Sequence, residues 1–132
     1  MHISAKIDSR QQQHATTLQT NGAVKTLQIP IKPSGYGSAI NGGEMLLLAL
    51  ATCFCNDIYR EAEKRGITVT GLTVECTGEF GAEGEPGTNF KYNTEVQADA
   101  SPEAIADLIR YTDTVAEVHN TLRQGLAVLL EH

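Results

Sequence analysis

The chain has 132 residues, of which 41% are hydrophobic and 20% charged, a composition typical of a globular protein. A chain of this length supports one hydrophobic core, so we expect a single domain over residues 1–132. Sixteen acidic against ten basic residues give a net charge of −6. Because no cluster of lysine and arginine is available to meet phosphates, the sequence argues against a nucleic-acid partner.

The first part of the chain has the pattern of short β-strands. Residues 2–8 and 12–20 are predicted strands, and apolar residues alternate again over 23–31. Asn21 and Gly22 lie between the last two runs and predict a type I′ hairpin turn, since both residue types tolerate positive φ. A proline close to the end of the third run indicates an edge strand or the exit from a strand.

A long helix is predicted over residues 41–66, and the rest of the chain is organised around it. Asn41 suits the N-cap, Glu44 is placed to reach back to the N–H of that cap, and Gly66 suits the C-terminal end. Nearly every side chain over residues 45–55 is apolar, whereas the second half is apolar on one face only. Since the first half has no polar face, we expect β-structure or a partner subunit to cover it.

After the helix, the pattern predicts two strands joined by a glycine-rich turn, then two helices and a last strand. Ser101 before a proline is an N-cap signal for the first helix. Thr114, with Glu117 three residues later, predicts a capping box for the second helix. The predicted ranges are 67–80 and 89–98 for the strands, 101–111 and 114–123 for the helices, and 126–130 for the last strand.

This order of elements predicts the α+β class with a mostly antiparallel sheet, because helices do not alternate one-for-one with strands. The apolar half of the long helix further predicts an obligate homodimer that covers it from both sides. The longest apolar run, residues 45–51, is too short to cross a bilayer, so no membrane partner is expected.

The protein is expected to be cytoplasmic. Its first residues lack the apolar stretch of a signal peptide, and its three cysteines do not have the spacing of a disulfide scaffold. Residues 130–132 resemble the start of a C-terminal purification tag, and no function is assigned to them.

Cys53 is the first candidate for chemistry. Asp57 and Arg60 follow at helical spacing on the same face, where the guanidinium would lower the pKa of the thiol and the carboxylate would raise it. The alternative is that Cys53, Cys55 and Cys76 are small buried hydrophobic residues. Cys55 points about 200° around the helix from Cys53, so the two cannot bridge within an intact helix.

His119 and Glu44 are the other candidates. His119 is predicted on the short second helix near Asn120 and Arg123, where it is either a base for a thiol or a surface histidine near a helix end. Glu44 has a structural role as the capping-box residue.

Residues 43–54, Gly-Glu-Met-Leu-Leu-Leu-Ala-Leu-Ala-Thr-Cys-Phe, resemble the central-helix motif of the OsmC/Ohr family, the osmotically induced and organic-hydroperoxide-resistance proteins of bacteria. Segments 69–80, 101–103 and 116–122 extend the resemblance, which covers about residues 20–130. It implies the OsmC-like fold, in which two intertwined α+β subunits place central helices against curved, mostly antiparallel sheets. It also implies thiol-dependent reduction of organic hydroperoxides by a reactive cysteine, a resolving cysteine and an activating Arg–Glu pair.

Only part of this catalytic set has a match in the chain. Cys53 falls on the reactive cysteine, whereas the resolving cysteine falls on Ala116. The activating glutamate falls on Gly43, so Glu44 is one position late, about 100° around the helix. The activating arginine has no clear match, and Arg10 is a poor candidate.

Two functions follow from these residues. In the first, Cys53 reduces organic hydroperoxides through a sulfenic acid, with His119, Arg60 or Glu44 tuning it and an external thiol as reductant. Cys55 or Cys76 would act as resolving cysteine only if local geometry allows it. In the second, a non-catalytic OsmC-like dimer binds a small apolar ligand in its interface pocket and Cys53 is inert. Neither function calls for a cofactor or a metal.

Overall fold

A computed structural model describes residues 1–131, which form two compact units. The first comprises Met1–Met45, and the second begins at Leu46. The expectation of a single domain therefore stays a prediction, and His132, the last residue of the tag-like segment, lies outside the described residues.

The first unit contains a three-stranded antiparallel sheet in the order β1-β2-β3. Its strands are β1 (Ile3–Arg10), β2 (Gln13–Thr20) and β3 (Ala23–Lys25). Asn21 and Gly22 have φ of 49° and 84°, and they connect paired residues of β2 and β3 as the type I′ prediction requires. The third strand is shorter than predicted and ends well before the proline at position 30, which has no N–H to offer a sheet.

Helix α1 (Gly42–Lys64) has the predicted ends. The Asn41 side chain accepts from the Glu44 N–H at 2.8 Å, and the Glu44 side chain accepts from the Asn41 N–H at 3.0 Å, so the capping box is confirmed. Gly66 has a φ of 68° just beyond the helix, in the left-handed conformation that ends many helices.

The second unit has its core where α1 packs on a hairpin. Strands β4 (Val69–Glu79) and β5 (Thr88–Ala98) are antiparallel, as predicted. Phe54 and Ile58 of α1 are fully buried, and partly buried residues of the two strands pack against this cluster. One helix face therefore covers one face of the hairpin. Other apolar residues of the helix are not covered, and Leu48 is 53% exposed.

Two short helices complete the second unit: α2 (Pro102–Val115) and α3 (Glu117–Gln124). Ser101 caps α2 through its side chain, which accepts from the Ala104 N–H at 3.1 Å. The predicted capping box at Thr114 does not form. Because α2 continues to Val115, the Thr114 hydroxyl instead donates to the carbonyl of Tyr111 and Ala116 becomes the N-cap of α3. This frees the Glu117 carboxylate for other partners.

The predicted last strand is also absent, since residues 126–131 have no regular secondary structure. Their apolar side chains are largely exposed, with Val128 at 93%. A strand needs a neighbour for its backbone groups, and no described residue supplies one here.

The class is α+β with antiparallel sheets, as the order of elements predicted. Within residues 1–131, no helix combines the length and the apolar character needed to cross a membrane.

Candidate functional site

The thiol of Cys53 lies where α1 meets the start of α3. Asp57, one turn further along α1, places Oδ2 3.6 Å from the Cys53 sulfur. Glu117, the first residue of α3, places Oε2 3.9 Å from the same sulfur. Helical spacing explains the first contact, and the tight connection between α2 and α3 supplies the second. The sulfur is partly buried and forms no disulfide.

Arg60 holds these carboxylates from the side away from the thiol. Its Nη1 lies 3.0 Å from Oδ1 of Asp57 and 2.9 Å from Oε1 of Glu117. Its Nε donates to Glu61 at 2.8 Å. Each of the two carboxylates near Cys53 thus gives one oxygen to the guanidinium and turns the other toward the sulfur.

The environment keeps the Cys53 thiol protonated. Burial raises its pKa above the ordinary value, and the neighbouring carboxylates of Asp57 and Glu117 raise it further. The backbone hydrogen bond from Val118 opposes them, because an N–H directed at the sulfur favours the thiolate. Arg60 bonds the carboxylates rather than the sulfur, so the expected lowering by a guanidinium does not dominate.

Asp57 has the properties of a proton acceptor. Burial, together with the nearby carboxylate of Glu117, raises its pKa to about 6. At neutral pH it is mostly ionised, yet it is far more basic than an ordinary aspartate. A carboxylate with this pKa, 3.6 Å from a thiol, can take a proton from sulfur and return it to a leaving group.

His119 lies in the core and not on the surface. Only 4% of it is exposed, and its ring packs against Tyr92 with 4.6 Å between centroids and against Phe54 with 5.7 Å. Neither ring nitrogen has a hydrogen-bond partner among the described residues. Burial lowers the pKa of His119, so the ring is neutral at pH 7. No hydrogen bond connects it to Cys53, so a role as base stays a prediction.

The other candidates have different surroundings. Glu44 belongs to the first unit, where it completes the cap of α1. Cys55 lines a shallow cavity with Leu72 and Val74, away from the Asp57 carboxylate, as the helical angle predicted. Cys76 lies on β4, where burial raises the pKa of its thiol. All three cysteines are free.

Patterns in the sequence identify neither Glu117 nor the N–H of Val118 as part of the site, and they assign Asp57 only a charge that opposes ionisation of the thiol. Position 117 looked like a capping-box residue, and nothing local in the sequence indicates that α3 begins beside Cys53. The one available signal was the spacing of Cys53, Asp57 and Arg60, which placed three functional groups on one helix face.

These groups also have the chemistry of metal ligands. One sulfur of Cys53 and one oxygen each of Asp57 and Glu117 lie within 4.8 Å of one another. No other such set occurs in residues 1–131. Because Arg60 already neutralises part of the charge on both carboxylates, an ion would compete with an existing cation.

Solved structures with the same fold come from several bacteria. An OsmC-like protein from Mycoplasma pneumoniae has a TM-score of 0.64 and 21% identity, with 92% of this chain and 86% of that chain covered. An organic hydroperoxide resistance protein OsmC from Legionella pneumophila has a TM-score of 0.57 and 19% identity, with 93% and 90% covered. An OsmC-like hydroperoxide resistance protein from Jannaschia sp. CCS1 has a TM-score of 0.56 and 16% identity, with 96% and 87% covered.

At these identities the structures establish a shared fold only. A search of curated proteins gave no match. The family assignment comes from the sequence itself, since residues 35–131 match the family described as OsmC-like protein. That range is well over half of the chain and includes α1, Cys53 and the start of α3. The chain therefore belongs to the OsmC-like protein family.

Proposed function

We propose that the protein reduces organic hydroperoxides with Cys53 as its reactive cysteine and an external thiol as reductant. The observation that carries the proposal is the Cys53 sulfur lying 3.6 Å from Asp57, a carboxylate whose pKa is raised to about 6. Membership of the OsmC-like family and the hydroperoxide-resistance names of two similar structures support the choice of substrate.

The first step converts the thiol and the hydroperoxide into a sulfenic acid and an alcohol. Asp57 accepts the thiol proton, and the thiolate attacks the outer oxygen of the O–O bond. The bond breaks, the sulfur keeps one oxygen as sulfenic acid, and the proton passes from Asp57 to the departing alkoxide. The N–H of Val118 favours the transient thiolate, and Arg60 holds both carboxylates in place.

An external thiol completes the cycle. Cys53 has no disulfide partner, and Cys55 faces a different cavity. One external thiol therefore displaces water from the sulfenic acid and forms a mixed disulfide, and a second thiol releases Cys53. The two-electron oxidation of the external thiols balances the two-electron reduction of the hydroperoxide.

The protein is treated with cumene hydroperoxide, and each cysteine is then followed by peptide mass. We expect Cys53 to gain one oxygen before Cys55 or Cys76, and we expect a sulfenic-acid trap to label it. The Cys53→Ser variant is the negative control and Cys55→Ser the matched control. Equal oxidation of the three cysteines, or none, would remove the proposal.

We also propose that the active form is a homodimer. Leu48 of α1 is 53% exposed, and three apolar residues close together in the C-terminal segment, Leu126, Val128 and Leu129, are at least 66% exposed. A run of exposed apolar side chains is typical of a surface that binds another protein. A second copy of the chain is the partner that the sequence predicts.

A second candidate function is the binding of a small apolar ligand. A cavity of about 160 Å³ is lined by the apolar side chains of Leu50, Phe90 and Leu122 and by Tyr92 and His119, and Lys91 and Arg123 complete its lining. An engineered apolar cavity of about 150 Å³ binds benzene. Titration of isotope-labelled protein with toluene would shift the signals of these lining residues; an unchanged spectrum at saturating toluene would contradict ligand binding here.

A further inference from the structure

The charges around the Cys53 sulfur are distributed unevenly. Asp57 Oδ2 and Glu117 Oε2 face the sulfur at 3.6 Å and 3.9 Å. Arg60 contacts the other oxygens, Oδ1 and Oε1, and so lies behind the carboxylates as seen from the thiol. The charged atoms in contact with the sulfur are therefore carboxylate oxygens and not the guanidinium.

The charges of the ion-paired groups near the thiol do not sum to zero. The connected set contains the carboxylates of Asp57, Glu61 and Glu117 and the cations of Arg60 and Lys64, so three negative charges face two positive ones. Lys64 contacts Glu61 at 3.0 Å and no other member. The two carboxylates beside the sulfur share Arg60, which leaves a net negative charge there.

This charge is accessible from solvent. The Glu117 side chain is 64% exposed, whereas that of Asp57 is 8% exposed. A partly exposed charge at the mouth of a site favours the approach of opposite charges, and this effect weakens as salt is added.

We propose that the external thiol reacting at Cys53 carries a positive charge close to its sulfur, as an aminothiol does. This inference rests on the proposed function, because it names the class of reductant. The first thiol attacks the Cys53 sulfenic acid, forms the mixed disulfide and releases water. A second thiol then attacks the mixed disulfide, releases the oxidised aminothiol as its disulfide and restores the Cys53 thiol.

Distances in the mixed disulfide agree with such a reductant. The two sulfurs are about 2.05 Å apart, so the new sulfur lies beside the same carboxylates. An ammonium group two carbons from that sulfur can reach Oδ2 of Asp57 or Oε2 of Glu117. A carboxylate in the same place would meet like charge, which disfavours both the encounter and the mixed disulfide.

The exchange can be measured without any peroxide, because reduced Cys53 and a small disulfide form the same mixed disulfide in the reverse direction. The test uses protein in which Cys55 and Cys76 are serine. Three probes of similar size are compared at one pH: cystamine, bis(2-hydroxyethyl) disulfide and dithiodiglycolate. Each rate is divided by the rate for the same protein unfolded in urea, which removes differences in leaving-group reactivity.

We expect cystamine to react about tenfold or more faster than dithiodiglycolate at low salt, with the neutral probe between them. High salt and Glu117→Gln should both reduce this ratio. Glu63→Gln is the matched control, because Glu63 is an exposed carboxylate of the same helix that lies outside the ion-paired set around Arg60; it should keep the ratio.

A ratio near one, or a ratio that Glu117→Gln leaves unchanged, would overturn the inference. If the protein reduces hydroperoxides but shows no preference for positively charged probes, this inference is wrong and the proposed function stands. Charge preference without oxidation of Cys53 by hydroperoxide removes the proposed function and, with it, the role of the aminothiol as reductant.

Discussion

Asp57 has different partners on its two carboxylate oxygens. Oδ2 receives the Cys53 thiol, and Oδ1 contacts the Arg60 guanidinium. It is therefore held in one orientation while keeping a pKa near 6. The same carboxylate has two opposing effects: its charge disfavours the thiolate, and its basicity provides a route for the thiol proton.

Substitution of Asp57 separates these effects. In Asp57→Asn, the pKa of Cys53 should fall because the nearby negative charge is removed and the acceptor of the thiol hydrogen bond becomes a neutral amide oxygen. Alkylation by iodoacetamide, which reports thiolate, should therefore become faster at pH 7. Reaction with cumene hydroperoxide should become slower, by about 100-fold, since no group returns the proton to the alkoxide.

Glu61→Gln is the matched control for this prediction, since Glu61 is a buried carboxylate of α1 that bonds Arg60 without contacting the thiol. It should leave both rates close to those of the parent. If Asp57→Asn accelerates both reactions, Asp57 only suppresses the thiol and is not a base.

His119 should make stability depend on pH. Burial lowers its pKa in the folded state below the ordinary value of about 6.5, so the unfolded chain binds more protons below that pH. The free energy of unfolding contributed by this ring is fully present above about pH 6.5 and is lost as pH falls toward the folded pKa.

Urea unfolding at pH 7.5 and at pH 5 measures the difference. Asp57 has the opposite effect, because its raised pKa favours the folded state in acid, so variants must be compared with the parent. His119→Leu should lose less stability between the two pH values than the parent does. His2→Leu, at an exposed position, should behave as the parent. Identical pH dependence in all three proteins would contradict the burial argument.

At the scale of elements, α1 carries most of what the sequence could predict. Its N-terminal cap depends on residues three positions apart, and the apolar face predicted for its second half includes Ile58 and Ala62, which are buried. Local patterns of this kind are readable from one sequence. The contact between Glu117 and Cys53 joins positions 64 residues apart, and periodicity carries no information about it.

The errors at the end of the chain have a similar cause. The pattern from Leu126 to Leu130 has the composition of a strand, but whether it pairs depends on a neighbour that the sequence does not identify. At Thr114, the capping-box spacing competed with continuation of α2, and the hydroxyl bonded within its own helix instead.

The cap of α1 offers a direct measurement. Asn41→Ala removes the side chain that accepts from the Glu44 N–H, and we expect a loss of about 1 kcal/mol in the free energy of unfolding. Asn41→Ser is the control, because serine also caps helices well and should retain most of that stability. An alanine variant as stable as the serine variant in urea would show that the cap contributes nothing.

At the scale of the whole molecule, the exposed apolar residues support the proposal that the protein forms a dimer. Leu48 is the clearest case, since it lies in the first half of a well-formed helix and is still 53% exposed. The sequence predicts that the apolar residues 45–55 of α1 need a cover, and the described chain leaves Leu48 exposed. We propose that a second copy of the chain covers this surface.

Leu48→Lys tests that proposal. A charged side chain at a buried interface leaves an unpaired ion, so the variant should sediment as a monomer at micromolar concentration where the parent sediments as a dimer. Glu63→Lys changes an exposed polar residue of the same helix and should remain dimeric. A parent protein that is monomeric at all concentrations tested would refute the dimer.

The packing of Tyr92 gives the second unit an optical signal of its own. The chain has four tyrosines and no tryptophan, so its intrinsic emission comes from tyrosine alone. Tyr92 donates a hydrogen bond to the Asp113 carboxylate and stacks edge-on against Phe54. A carboxylate that accepts a hydrogen bond from a phenol quenches its fluorescence, so loss of this contact increases the tyrosine emission. The emission intensity therefore reports on whether β5, α1 and α2 are still packed together.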